Sequence, residues 1–165
     1  MVPLSEAGQP RSVGCGVITA SDTRTPETDS SGQLIQDRLT TAGHRVGSYH
    51  LVADEPEQIR PLVLSLAQRP DLQVLIITGG TGIAPRDVTY DAIATLITKT
   101  LPGFGELFRY LSYLEIGSRA MASRAVAGVC ENTLIFSLPG STKAVRLAMD
   151  ELILPELRHL TSLLQ

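Results

Sequence analysis

A chain of 165 residues with 43% hydrophobic side chains has the length of one domain and enough apolar mass for a core. Its net charge of -3, with 14 basic residues scattered along the chain and no run of aromatics, argues against a dedicated nucleic-acid surface. No apolar run is long enough to span a bilayer, and Cys15 and Cys130 form neither a disulfide framework nor a CxxC metal pair.

Residues 1–12 are polar, contain proline and glycine and show no period. They lack the apolar core of a signal peptide, so a flexible tail and a cytosolic location are expected, followed by one α/β domain over residues 13–165. Residues 13–20 (VGCGVITA) are a short apolar run, which predicts a buried strand. Residues 29–42 predict a helix that opens on a capping box, Ser30-x-x-Gln33, and closes before Gly43. A second strand is predicted over 46–52 and a second helix over 57–68, with Pro61 marking its first turn or a kink. Residues 72–78 (LQVLIIT) are apolar almost throughout, the pattern of a strand covered on both faces. A helix over 89–99 with Thr89 as its N-cap follows, then another over 104–115. Strands are predicted over 123–129 and 133–138, and a long last helix over 143–164, bent or split at Pro155.

This βαβα alternation predicts a mostly parallel sheet with helices on both faces. In such folds ligands bind beyond the carboxyl ends of the strands. The loops that converge there carry Ser21 and Asp22, Ala53 and Asp54, the segment 79–87, and Pro139 to Lys143.

The segment 78–93, TGGTGIAPRDVTYDAI, is the most informative. Glycines at 79, 80 and 82 allow a close backbone approach and an anion nest of N–H groups. The loop lacks the Lys-Ser/Thr of a Walker loop and the spacing of a dinucleotide fingerprint. A tight turn without a ligand fits the same glycines. Asp87 fits either a capping role or a metal ligand beside phosphate, and Mg²⁺ takes one or two carboxylates plus phosphate oxygens. Asp54 is the natural second carboxylate; its plain alternative is again an N-cap. His44, His50 and His159 have no ligand spacing. The two cysteines are expected to be small buried hydrophobes.

Taken together, Thr78 to Thr89 and the stretches ASDT (20–23), DSSG (29–32), PGFGE (102–106), SRAVAG (123–128) and LPGS (138–141) resemble the MogA/MoaB molybdopterin adenylyltransferase family, in order over about residues 13–160. The serine-arginine and Pro-Gly-Ser-Thr-Lys stretches lean towards the MoaB-like branch. Tyr90, where the family often has proline, and Ser30, where it often has threonine, depart from the pattern. The resemblance implies a three-layer α/β/α molybdopterin-binding fold and a homotrimer or hexamer. It implies Mg²⁺-dependent transfer of AMP from ATP to the terminal phosphate of molybdopterin, with release of pyrophosphate and hand-over to a molybdate-inserting enzyme. The alternative is a non-catalytic molybdopterin-binding or carrier protein of the same pathway.

By motif, Asp54 and Asp87 match the family's essential carboxylates, and Gly79, Gly80, Thr81 and Gly82 its phosphate loop. Ser21 and Asp22 match the cleft, and Ser112 and Ser123 match hydroxyls on the pterin side. Gly140, Arg124 and Lys143 are further ligand-binding candidates, with a carboxylate pair for Arg124 and a solvated position for Lys143 as plain alternatives. Residues 104–116, apolar on more than one side, are expected at a subunit contact that includes Phe108.

Overall fold

A computed structural model describes residues 11–165, so most of the expected tail lies outside the described residues. The chain folds into β1 (Gly14–Ala20), α1 (Ser30–Thr41), β2 (Arg45–Val52), α2 (Pro56–Ala67), β3 (Val74–Thr78), α3 (Thr89–Ala94), β4 (Lys99–Thr100), α4 (Pro102–Ile116), β5 (Val126–Cys130), β6 (Thr133–Leu138), α5 (Thr142–Ala148) and α6 (Leu154–Ser162). The six strands form one sheet in the order β2-β1-β3-β6-β5-β4. The first four of these are parallel; β5 runs antiparallel to both β6 and β4.

Strands β1, β3 and β6 are buried along their whole length, because helices cover both faces of the sheet. Alternate β3 side chains serve opposite layers. Val74 and Ile76 join a core with Ile35 and Leu39 of α1, Phe108 of α4 and Val145 and Leu157 of the C-terminal helices. Leu75 and Ile77 join a second core with Ile59 and Val63 of α2 and Ile93 of α3. The layers are therefore α/β/α. Burying each such side chain contributes about 1.5–3 kcal/mol, so both faces are needed to offset the chain entropy.

This topology brings the carboxyl ends of β1, β2, β3 and β6 to one edge, with Thr19 beside Thr78 and Thr78 beside Leu138. Because β5 runs the other way, its amino end pairs Val126 with Ser137 and delivers residues 123–125 to that same edge.

Several local expectations are corrected. Asp29, and not Ser30, caps α1: its carboxylate accepts from Gly32 N–H at 2.9 Å, while the Ser30 hydroxyl meets Thr142 and Gln33 reaches Pro26. Helix α2 continues through Pro61 in its interior. Helix α3 stops at Ala94, because Thr98 and Leu101 donate to the carbonyls of Val129 and Ala127 and the segment between them pairs with β5 as an edge strand. Thr89 lies inside α3, whose cap position is Val88. Strand β5 begins at Val126, three residues later than expected. The last helix is split near Pro155, as expected, by a π-helical segment, Met149–Ile153; the wider turn accommodates a proline that lacks the N–H and crowds the preceding turn. Phe108 is 1% exposed and belongs to the core; the outward residues of α4 are Leu107, Tyr110, Tyr113, Leu114 and Ile116.

Candidate active site at the carboxyl ends of the strands

Strand β3 hands directly into the glycine loop. The Thr78 hydroxyl donates to Pro139 O at 2.8 Å and Gly79 N–H to Leu138 O at 2.9 Å, which ties the loop to the end of β6. Gly79 and Gly80 have φ of 107° and 63°, the left-handed region open to glycine. Space is equally restrictive: a Cβ on Gly79 would lie 2.2 Å from Ala20 O, and one on Gly80 2.2 Å from the Thr89 hydroxyl. Thr81 is buried. The loop after β6 touches this one, since a Cβ on Gly140 would lie 3.5 Å from Gly79 Cα.

Two carboxylates flank the loop. Asp54 Oδ1 would be 3.1 Å from a Cβ on Gly80, and Asp87 Oδ2 2.7 Å from one on Gly82. Neither carboxylate caps a helix. Asp87 Oδ2 accepts from Ala84 N–H at 3.0 Å, inside its own loop. The cap position of α2 is Glu55, and Asp54 receives only the Thr89 hydroxyl, at 3.5 Å. Burial pushes the Asp54 carboxyl up, and the negative charges of Asp22 and Asp87 push it further, against partial relief from Arg86 and Thr89. Asp22 is shifted the other way, down, chiefly by its hydrogen bond from Arg86 and then by Asp54 N–H. Asp54 is thus a partly buried carboxylate whose neighbours would favour an added cation. Among the described residues no group of three or more His, Cys, Asp or Glu could hold a metal alone. Two carboxylates on either side of one loop are the number that Mg²⁺ usually takes when phosphate oxygens supply further ligands.

Arg86 was not singled out by the sequence reading. It ion-pairs with Asp22 and lies 3.4 Å from Glu55, so it links the loop after β3 to those after β1 and β2. Ser21 turns inward, accepting from the N–H groups of Thr23 and Arg24 at 3.2 and 3.1 Å, which closes its own turn. Arg24 then donates to Gly140 O at 2.9 Å and pairs with the buried Asp29. The signal for Arg24 and Arg86 in the sequence was only a basic residue beside a candidate loop.

Beside the glycine loop opens a cleft of about 410 Å³ whose lining includes Tyr90, Glu106, Arg109, Met121, Ser123 and Arg124. Ser123 is part of this lining, beside Arg124. Ser112 does not share this cleft: it is buried on α4 and lines a separate hollow of about 70 Å³ with Ser141 and Lys143. Lys143 is exposed, 3.7 Å from Glu115. Arg124 directs its guanidinium into the protein, at Asp91 and two loop carbonyls. The remaining polar candidates are structural. His44 accepts from Val13 N–H, and burial lowers its pKa, holding it neutral; burial pushes the Cys15 thiol up to about 12.

Residues 16–159 match a family model described as a probable molybdopterin binding domain. The chain belongs to this molybdopterin-binding family of molybdenum cofactor biosynthesis proteins. It is 54% identical over 153 residues to molybdenum cofactor biosynthesis protein B of Bacillus cereus, covering 92% of this chain and 90% of that one. A crystal structure of a molybdenum cofactor biosynthesis protein B superposes with a TM-score of 0.92 at 52% identity, covering 95% of this chain and 98% of the other. The tungsten cofactor synthesizing protein MoaB of Pyrococcus furiosus superposes with a TM-score of 0.81 at 36% identity, over 93% of this chain and 98% of that one. The glycine loop, both carboxylates and the cleft of this family member all fall within the matched residues.

Proposed function

We propose that this protein transfers AMP from ATP to the terminal phosphate of molybdopterin, with Mg²⁺, and releases pyrophosphate. The observation that carries the reading is the pair Asp54 and Asp87 set against Gly80 and Gly82 of one loop, next to a cleft large enough for an organic ligand. Asp54 and Asp87 would hold Mg²⁺, which offsets the charge of the ATP phosphates. The backbone N–H groups of the glycine loop hold phosphate oxygens, and Ser123 meets the pterin side. An oxygen of the molybdopterin phosphate attacks the α-phosphorus, and the bond from that phosphorus to the bridging oxygen breaks as pyrophosphate leaves. A phosphate monoester is already largely ionised near neutral pH, so no general base is required. Positioning and charge stabilisation supply the rate. The adenylylated product then passes to a molybdate-inserting enzyme.

The test is purified protein with molybdopterin, ATP and Mg²⁺, scored for adenylylated pterin and pyrophosphate. Pterin binding without either product would leave a carrier protein instead.

The same reading includes assembly into a trimer or hexamer through the outward row of α4, where Leu107, Tyr110, Tyr113 and Leu114 are more than half exposed. Leu107→Glu with Tyr110→Glu is expected to yield monomers by light scattering with the fold intact by circular dichroism. An unchanged assembly in that variant would place the contact elsewhere.

A further inference from the structure

The fully committed guanidinium of Arg124 is the feature that the transfer chemistry leaves unused. Its Nε donates to Gly82 O at 2.9 Å and its Nη2 to Asp87 O at 2.9 Å. Nη1 reaches both carboxylate oxygens of Asp91, at 3.0 and 3.2 Å. The guanidinium also lies 4.6 Å from the centre of the Tyr90 ring. The main-chain N–H of Arg124 donates to Thr81 O at 3.1 Å. One residue at the entrance to β5 therefore donates to three carbonyls of the loop that carries Asp87, one through its main chain and two through its side chain.

Peptide planarity gives this arrangement a consequence. In a trans peptide the C=O of one residue and the N–H of the next point in opposite directions. Drawing the Thr81 and Gly82 carbonyls towards Arg124 therefore turns the N–H groups of Gly82 and Ile83 away from it. Among the described residues no main-chain acceptor takes either N–H. A loop whose carbonyls faced the ligand side would repel phosphate; with them drawn aside, consecutive N–H groups form an anion nest.

We propose that Arg124 is the positioning residue of the phosphate loop: its main-chain N–H holds the Thr81 carbonyl, and its guanidinium holds the Gly82 carbonyl inward so that the Ile83 N–H joins that of Gly82 in facing the phosphates. It acts through the loop and makes no contact with phosphate itself. The inference rests on the proposed nucleotide site and deepens it. It also separates two roles for one cation. A positive charge placed directly on phosphate can be supplied by lysine, whereas spanning two carbonyls, a carboxylate and an aromatic face requires the planar fork of arginine.

The experiment is calorimetric titration of the full chain with two probes, ATP with MgCl₂ and inorganic pyrophosphate, for wild type, Arg124→Lys, Arg124→Ala and Asp91→Ala. Circular dichroism verifies folding. Arg124→Lys is expected to weaken both probes about tenfold or more, because a point charge cannot hold the fork's three anchors. Arg124→Ala is expected to lose at least as much and to regain affinity in millimolar guanidinium chloride but not in equal sodium chloride, since the side chain borders an open cleft. With circular dichroism unchanged in the variant, such a rescue reports a local defect in the loop and not a loss of folding. Asp91→Ala, which removes an anchor 61% exposed at its side chain, is expected to weaken binding less. Arg124→Lys binding within about twofold of wild type would overturn the proposal and return Arg124 to a direct phosphate contact. If neither Arg124 variant folds, unchanged affinity in Asp91→Ala overturns it. Wild type binding neither probe overturns this inference and the nucleotide site together; binding without AMP transfer overturns only the transfer.

Discussion

Two arginines anchor the loop after β3 on opposite sides: Arg124 reaches it from the β5 side, and Arg86, within it, reaches across to the loops after β1 and β2. Arg124 has a side chain 28% exposed and is fixed by backbone carbonyls as well as a carboxylate. Arg86 has a side chain 63% exposed and pairs only with the carboxylates of Asp22 and Glu55. Half-buried carbonyls that a planar guanidinium spans at fixed geometry are not readily exchanged, so the Arg124 side is built to stay as it is. Exposed carboxylates are solvated and can exchange a guanidinium for another cation at little cost. The site thus has a rigid side, which shapes the loop, and an adaptable side, where Asp54, Asp22 and Arg86 share charge.

The largest test of this division falls on the carboxylates. Asp87→Asn keeps the shape of the loop but removes a charge, so AMP transfer is expected to fall about 100-fold or more while molybdopterin binding survives. Single-turnover assays with equilibrium binding alongside would show it, and unchanged turnover would break the metal assignment. Next in size is Ser123→Ala on the cleft side. Loss of one hydroxyl hydrogen bond is expected to weaken molybdopterin binding by about five- to tenfold and leave ATP binding unchanged. The reverse outcome would mean that the two half-sites are exchanged. Smaller again is Arg86→Gln. An exposed ion pair contributes little to stability, so its melting temperature should move by less than about 4 °C, and its loss of ATP affinity should be below that of Arg124→Lys. An Arg86 effect equal to that of Arg124 would remove the distinction between the two sides.

What the sequence showed of this arrangement, and what it hid, follows the same division. Strands β1, β3 and β6 were legible because double-sided burial writes itself as unbroken apolar runs. The glycines were legible because the left-handed turn at the end of β3 needs them, and the flanking carboxylates because they follow strand ends in the sequence. Helix α3 was drawn too long because the edge pairing of Lys99 and Thr100 with β5 depends on residues about thirty positions away. Arg86 and Arg24 were missed for that reason too: their partners Asp22 and Gly140 are distant in sequence. Ser112 was placed with Ser123 by motif alone, whereas the buried face of α4 puts it in another hollow. Outward and inward positions on α4 could not be told apart from an apolar stretch with too many apolar residues, which is why Phe108 was set on the wrong face.

The adaptable side can also be read through stability, at the smallest expected amplitude. Asp54 has its folded-state pKa raised above the ordinary 3.8, first by burial and then by Asp22 and Asp87. The folded protein therefore holds this proton more tightly than the unfolded chain, and stability falls as pH rises through the raised pKa. Asp54→Asn removes the penalty, so in EDTA the variant should melt above wild type near neutral pH, with the gap closing as pH falls below the ordinary carboxylate value. Asp22 is predicted to behave oppositely. Its pKa is lowered by Arg86, so its contribution is present above the ordinary value and is lost as pH falls through the lowered one. Asp22→Asn should therefore melt slightly below wild type near neutral pH. Adding Mg²⁺ with ATP distinguishes a cation site from mere crowding of charge. The ligands should raise the melting temperature of wild type well above that of Asp54→Asn, because only the carboxylate can convert the electrostatic penalty into binding. Equal stabilisation of the two proteins would mean that Asp54 is strained without being a ligand, and the adaptable side would then consist of Asp22 and Arg86 alone.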